Sequence, residues 1–255
     1  MKDHAADWEE LARREPYFAV LTNDGSRGVP GNAAATAAFF DTGEDDIAAL
    51  LAAITPLLGH DVRVARALDF GCGAGRLTLP LARRALQVVA CDVAPTMLTH
   101  ARQNAESAGV RNVTFMSSED LGGLPPGEFD FICSLLVFQY IPAKAGSRIL
   151  RTLIDLLAPG GIAAIHVTFR RPDSSLRRLA RLIRARSGPA RRTPGVVRHE
   201  LQRPYTRINE YDEHSVRDEI EAAGAHLLAL LPTHHVDATG AVMIIAKPRS
   251  TAKLA

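Results

Sequence analysis

The chain has 255 residues, 47% of them apolar and 23% charged, with a net charge of +2. That profile excludes disordered and collagen-like chains and fits a folded chain that can bury a full core without covalent staples. Its three cysteines, Cys72, Cys91 and Cys133, are odd in number and form no CxxC pair, so neither a disulfide framework nor a zinc cluster is expected and a reducing compartment is the natural setting.

The first residues lack the apolar core of a signal peptide, and no apolar run approaches the roughly eighteen residues needed to cross a bilayer. A cytoplasmic location is expected. The first sixty residues read as helical pieces around a turn-rich break. Asp7 to Arg14 is predicted as a short helix, while Thr22 to Ser26 and Gly28 to Gly31 hold the breakers that keep a chain irregular. Thr42-Gly43-Glu44-Asp45 has capping-box spacing, and Ile47, Leu50, Leu51, Ile54 and Leu58 then recur at helical spacing. From Val62 the pattern changes to short apolar runs alternating with amphipathic stretches, the mark of a parallel sheet covered on both faces. Strands are predicted over Val64–Phe70, Gln87–Asp92, Asn112–Met116, Phe129–Val137 and Gly161–Phe169. Helices are predicted between them over Arg76–Arg84, Thr96–Ala108 and Ala143–Leu157, with Ala158-Pro159-Gly160-Gly161 as the turn ending the last. A final helix near Tyr211–Ala223 precedes two more strands, His226–Leu231 and Ala241–Lys247.

The sharpest local signal runs from Ala67 to Arg76: an apolar strand carrying Asp69 near its end, three alternate glycines (Gly71, Gly73, Gly75), and the opening of a helix. Glycines here let the backbone turn sharply and approach a ligand, at the strand end where open sheets bind nucleoside-type molecules. A dinucleotide fingerprint would place its third glycine at position 76, but that residue is Arg76 and the glycine stands at 75.

In this D-x-G-x-G-x-G form the segment resembles the first motif of the class I S-adenosylmethionine-dependent methyltransferases, and four later features follow in that family's order between Val64 and Lys247. The resemblance implies an α/β fold: a Rossmann-like, seven-stranded, mostly parallel sheet with helices on both faces and an antiparallel last strand. It implies S-adenosylmethionine as cofactor, S-adenosylhomocysteine as product, and no metal. Asp69, Gly71, Gly73 and Gly75 would form the cofactor loop. Asp92, closing the second strand, would accept hydrogen bonds from both ribose hydroxyls, a bidentate role that an ionised acid fills well. Val93 or Met97 would provide an apolar wall for the adenine. Ser117-Ser118-Glu119-Asp120-Leu121 would supply the acid for the adenine amino group, with the register between Glu119 and Asp120 open. Phe129 to Leu135 resembles the fourth strand, bringing Ser134 and Leu135 to the cofactor, and Leu157-Ala158-Pro159-Gly160-Gly161 resembles the turn before the fifth.

Upstream, Glu15 to Leu21 and Phe39 to Gly43 look like the lid segments of bacterial small-molecule and glycan-modifying relatives. On that likeness residues 1–60 form a helical lid over a methyltransferase domain spanning 61–255, and Tyr17 and Phe18 close over the cofactor; the competing reading is two buried aromatics that anchor a helix to the core. Those relatives often carry Gln-His after the fourth strand. This chain has Phe138-Gln139-Tyr140-Ile141-Pro142, so no role of that histidine transfers, and Tyr17 from the lid stands with Gln139 and Tyr140 as a candidate substrate contact.

Transfer from a sulfonium needs alignment and desolvation more than a protein nucleophile, and a general base only if the acceptor is an alcohol or a protonated amine. His166, near the end of the fifth strand, is the first candidate base, against the ordinary reading of a satisfied core histidine. His235 is the second, in a His234-His235-Val236-Asp237 stretch read as a loop. No spacing of histidines supports a metal.

Between Arg170 and Arg207 lie twelve arginines, two acids and no lysine, +10 in all, which leaves −8 for the rest of the chain. Leu176, Leu179 and Ile183 fall on one stripe of a predicted amphipathic helix within this insert of about 170–208. Three functional readings compete with a plain solvated face: contact with an anionic small substrate through Arg170, Tyr205 and their neighbours, weak attachment to a membrane surface, and RNA binding. The last lacks interleaved aromatics for base stacking. The expected activity is therefore methyl transfer to an oxygen or nitrogen of a small metabolite, an anionic one on the first of these readings of the insert. An RNA or other macromolecular methyltransferase and a non-catalytic cofactor-binding subunit are the alternatives.

Overall fold

The strand–helix alternation that begins at Val64 builds one seven-stranded sheet. A computed structural model describes residues 2–21, 32–169, 208–235 and 238–249. Its elements are α1 (Lys2–Arg14), α2 (Pro16–Val20), α3 (Ala33–Leu58), β1 (Val64–Phe70), α4 (Thr78–Ala82), β2 (Ala85–Asp92), α5 (Pro95–Ser107), β3 (Val113–Ser117), β4 (Phe129–Ser134), α6 (Ala143–Leu156), β5 (Leu157–Phe169), α7 (Glu213–Ala222), β6 (His226–His235) and β7 (Ala238–Ala246). The strand order is β3-β2-β1-β4-β5-β7-β6. Strands β1 to β5 pair in parallel, and β7 runs antiparallel to both β5 and β6. Parallel strands buried on both faces need continuous apolar runs, which Val88 to Cys91 and Ile162 to Ile165 supply.

The two faces of the sheet are covered by different layers. On one, Ile47, Leu50 and Ile54 of α3 pack with Leu77 and Leu81 against Phe131, Ile162, Ala164, Val242 and Ile244. On the other, Leu150, Leu153 and Ile154 of α6 and Val216 and Ile220 of α7 pack against Leu68, Ile132, Ile165 and Met243. Reversal of strand order on the two sides of β1 and β4 creates the crevice at their carboxyl ends where such sheets take ligands.

Several boundaries depart from the sequence reading. Helix α3 begins at Ala33, nine residues before the Thr42 capping-box start, because Asn32 caps it by accepting from the Ala35 amide at 3.0 Å. Gly43 is then inside the helix, where the lack of a side chain lets α3 lie on the backbone after the glycine loop: a Cβ there would sit 2.1 Å from the Arg76 carbonyl oxygen. Strand β4 ends at Ser134, not Val137, because Leu136 turns to φ 63° and Phe138–Tyr140 winds into a 3₁₀ turn. The Pro-Gly-Gly turn is absorbed into β5 as an irregularity in its pairing with β4, between the Phe129–Leu157 and Phe131–Ile162 pairs. His234 and His235 are not in a loop: they extend β6, paired with Thr239 and Ala238 of β7. Arg170, Tyr205 and the predicted Leu176–Ile183 stripe lie outside the described residues, as do the breakers at 22–31.

Candidate active site

Strand β1 ends in the loop from Gly71 to Gly75, and its three glycines have φ values of 76°, 52° and 92°. These left-handed conformations are ones a side chain resists, and at Gly71 and Gly73 space adds to the requirement: a Cβ would lie 2.4 Å from Val137 and 2.5 Å from Val20. The loop is tied to the neighbouring strand, since the amides of Gly71 and Cys72 both donate to the Cys91 carbonyl, at 2.8 and 2.9 Å. One strand residue further on, Asp92 accepts from the Gly73 amide at 2.9 Å and from the Ala94 amide at 2.9 Å. The loop, the end of β2 and the start of α5 are thus held together by one carboxylate. A carboxylate offers about four acceptor positions, so the amides around Asp92 leave it capacity for a ligand. Burial pushes the Asp92 carboxyl above its usual range, and the amides of Ala94, Gly73 and Val93 oppose that rise.

Asp69 lies behind the loop, 1% exposed, and accepts from the Thr78 hydroxyl at 2.6 Å. Burial raises its pKa from 3.8 to about 6, against the opposing pull of that hydrogen bond and of Arg76. Arg76, 2% exposed, donates through Nη1 to Asp46 at 2.6 Å and to the Thr42 hydroxyl at 3.3 Å, clamping α3 onto the loop. The glycine loop therefore sits on a buried acid and against a buried, paired cation, so both its floor and its side are fixed.

The N-terminal helices close on the same loop. Tyr17 of α2 donates to Asn104 Oδ1 at 3.0 Å, and the Asn104 amide donates to the Ala74 carbonyl at 2.9 Å. Tyr17 thus reaches the glycine loop through α5, and it stacks edge-on against Phe39, with ring centroids 4.9 Å apart. Phe18 is buried with it. Glu9 of α1 accepts from the Thr96 amide at 3.0 Å and from its hydroxyl at 2.5 Å. Helix α5 has no side-chain cap of its own at Ala94, so Glu9 provides one from a distant segment. Thr96 hydrogen-bonding and Arg13 hold Glu9 below its ordinary carboxylate range in spite of partial burial, which is the largest single influence on it and works the other way. Trp8 packs edge-on against Tyr140, centroids 5.0 Å apart, so α1 spans from the start of α5 to the turn after β4.

The remaining expected residues fall around this crevice in different ways. Met97 is buried against Ala12, Ala19 and Ala94, packed under the N-terminal helices. Val93 is half-buried at the end of β2. Glu119 and Asp120 are both exposed in the 3₁₀ turn after β3, where the Ser117 hydroxyl accepts from the Glu119 amide at 3.2 Å. Ser134 closes β4 with a buried hydroxyl that has no hydrogen-bond partner among the described residues, and Leu135 follows it. Gln139 is buried, and its carbonyl accepts from the Asn209 amide at 2.7 Å. His166 is 1% exposed and lies 2.9 Å, Nε2 to Oγ1, from Thr233 on β6.

Two participants carry no sequence signal. Thr233 sits in a β6 run whose only readable pattern is strand-like. Tyr211, just after the arginine-rich insert, bridges to Phe169 just before it, and its hydroxyl lies 2.9 Å from the Ile141 carbonyl and 3.1 Å from that of Phe138. The two ends of the insert therefore meet at the carboxyl end of β5. Burial pushes the Tyr211 hydroxyl pKa up. No group of three or more potential metal ligands occurs among the described residues, and none of their helices is long and apolar enough to cross a membrane.

Residues 67–161 match the family described as methyltransferase domain. These residues carry a methyltransferase domain. Over 109 residues it is 36% identical to the ubiquinone biosynthesis O-methyltransferase of Xanthomonas euvesicatoria pv. vesicatoria, covering 42% of this chain and 45% of that one, and 35% identical over the same length to its counterpart in Xanthomonas campestris pv. campestris. The chain thus matches less than half the length of these curated relatives. Its fold extends further: magnesium protoporphyrin IX methyltransferase from Synechocystis PCC 6803, solved with S-adenosylhomocysteine bound, superposes with a TM-score of 0.58 at 21% identity, covering 91% of this chain and 97% of that one. The domain's seven-stranded sheet is the one that the resemblance implied.

Proposed function

We propose that this methyltransferase domain binds S-adenosylmethionine and transfers its methyl group to an oxygen of a small molecule. The observation that carries the reading is the Asp92 carboxylate, bonded to the Gly73 amide in a loop of three left-handed glycines and left with acceptor capacity to spare. The loop and the acid fit an adenosyl group, because the left-handed glycines present backbone with no side chain at the carboxyl end of β1 and the spare acceptor capacity of Asp92 suits ribose hydroxyls. Oxygen is favoured as the acceptor atom by the names of the relatives, which are O-methyltransferases.

When bound, the cofactor supplies a methyl group on a positively charged sulfur. The chain's own residues bind, align and exclude water. Asp92 would take the ribose hydroxyls, Glu119 or Asp120 the adenine amino group, Val93 and Met97 its apolar edge, and Ser134 and Leu135 the end nearest the acceptor. Of the expected lid, residues 1–60, the covering role falls to α1 and α2, since α3 gives Ile47, Leu50 and Ile54 to the core. Tyr17 and Phe18 would then act by holding that cover on the loop, and Tyr140 by meeting Trp8. His166 would be the first candidate base and His235 the second.

An anionic acceptor remains a finer part of this reading, carried by the twelve arginines between Arg170 and Arg207 whose flanks meet at the carboxyl end of β5. Titration calorimetry with S-adenosylhomocysteine tests the reading as a whole. Wild-type protein should bind it, and Asp92→Ala should bind about 10–100-fold more weakly, the loss expected for hydrogen bonds to a charged group, while keeping its far-ultraviolet circular dichroism. Failure of the wild-type protein to bind refutes the proposal; equal binding by the variant removes Asp92 from the ribose site.

A further inference from the structure

A cavity of about 320 Å³ lies against Arg76, the residue that follows the glycine loop, and is bounded by α3, by the residues that follow β4, and by β5, β6 and β7. That volume is near the lower end of the roughly 300–1,000 Å³ typical of small-molecule sites. Most of its wall is aliphatic, from Leu50, Leu135, Leu136, Leu231 and Val242. Arg76 and Asp46 also line it, but they are paired with each other at 2.6 Å, so this side of the wall presents no unbalanced charge.

The other polar feature is the His166–Thr233 pair. His166 belongs to β5 and Thr233 to β6, and the two strands are separated by β7. Their side chains meet across that strand because position 240 is glycine: a Cβ there would lie 2.6 Å from both His166 Nε2 and Thr233 Oγ1. On this face of β5 the preceding inward residues, Ile162 and Ala164, are ordinary core. A hydrogen-bonded imidazole and hydroxyl next to a cavity are therefore a departure from the pattern of the sheet. A second departure is at the same place. Leu136, in the wall, is the only non-glycine with positive φ among the described residues, at 63°. Such strain costs about 1–3 kcal/mol and persists where the surroundings impose it, most often at ligand sites.

We propose that this cavity receives the methyl acceptor, that the part of the acceptor held there is a compact, uncharged, mostly apolar body bearing an ionisable hydroxyl, and that His166, oriented by Thr233, takes the hydroxyl proton. This rests on the methyl-transfer reading above and gives it a substrate class. In the step, the acceptor O–H bond breaks with its proton passing to the imidazole and its electron pair staying on oxygen. That pair forms the new O–CH₃ bond as the methyl–sulfur bond parts, whose electrons remain on sulfur and leave a neutral thioether. The imidazolium then returns its proton to water. Thr233 is a positioning residue, acting through the imidazole.

The test uses 4-nitrophenol, whose ionised form absorbs visibly, and the full chain without cofactor, at about pH 6, close to the ordinary imidazole value. Wild-type protein should bind the probe and show the phenolate band. His166→Asn should bind it with little change but without the band; Thr233→Val should lower the bound phenolate fraction about tenfold, the worth of one hydrogen bond, and Thr233→Ser should restore it. Ala49→Trp, which fills the cavity from α3, should abolish binding. No binding by the wild-type protein, binding unaffected by Ala49→Trp, or an unchanged band in His166→Asn would each overturn the proposal. S-adenosylhomocysteine calorimetry on the same samples separates the two readings: normal cofactor-product binding with a failed phenol experiment rejects this pocket alone, whereas its loss in the wild type rejects the activity itself.

Discussion

The two halves of the sheet hold their polar groups by different means. Around β1 and β2 the contacts are made largely by backbone: the amides of Gly71, Cys72, Gly73 and Ala94 are spent on the Cys91 carbonyl and the Asp92 carboxylate. Around β5, β6 and β7 the contacts are made by side chains from strands that are not neighbours, and a glycine is needed only to let them meet. A site built of backbone tolerates varied side chains wherever a Cβ already fits, whereas a site built of side chains depends on the identity of each residue that makes it. The first arrangement suits a ligand part common to many enzymes and the second suits a part particular to one. The family match, confined to residues 67–161, covers the first and stops before the second.

Substitutions in each half should break one function and spare the other. The largest effect is expected at Gly71, where alanine must adopt φ 76° and place its Cβ 2.4 Å from Val137. Gly71→Ala should cost about 2–4 kcal/mol of stability, from left-handed strain and overpacking together, and should abolish binding of S-adenosylhomocysteine, as read by chemical denaturation and calorimetry. Gly240→Ala should do the reverse: cofactor-product affinity should stay within about twofold while turnover falls about 10–100-fold, since a displacement of the His166–Thr233 pair by a fraction of an ångström is enough to spoil alignment. If Gly240→Ala instead weakened cofactor binding as strongly, the separation into two halves would be false.

A smaller effect sharpens the contrast through pH. Asp69 titrates near 6 in the folded protein and near 3.8 when unfolded, so between those values the folded state holds a proton that the unfolded state has lost. Its contribution to stability is then highest below about pH 4, falls as pH rises to about 6, and is level above that. Asp69→Asn has no such titration. Its stability relative to wild type should climb across that window on top of a constant loss of the Thr78 hydrogen bond, and denaturation at several pH values would show a flat difference if Asp69 were an ordinary carboxylate.

Much of the first half was legible in the sequence because its requirement is conformational. Three alternate glycines after an apolar run ending in an acid have few uses other than a tight, ligand-facing turn, and Asp92 stands at the end of the next apolar run. Element ends were read less well wherever a partner distant in sequence decides them. Asn32 starts α3 early, and its Gly43 is tolerated because Arg76 crosses there. Leu136 cuts β4 short through a conformation no propensity favours. The second half was half-visible: His166 stood out as a polar residue in an apolar strand, but nothing at Thr233 or Gly240 marks them as its companions, since their proximity exists only once β7 is inserted between β5 and β6.

The cap that Glu9 lends to α5 ties together two stretches 87 residues apart. Any swing of the leading helix away from the body would also strip the opening turn of α5 of a partner for its Thr96 amide, and that turn adjoins Asp92. Breathing at the amino terminus and slackening beside Asp92 are in this respect one motion, so amides near Thr96 should exchange with solvent at the pace set by the first fourteen residues.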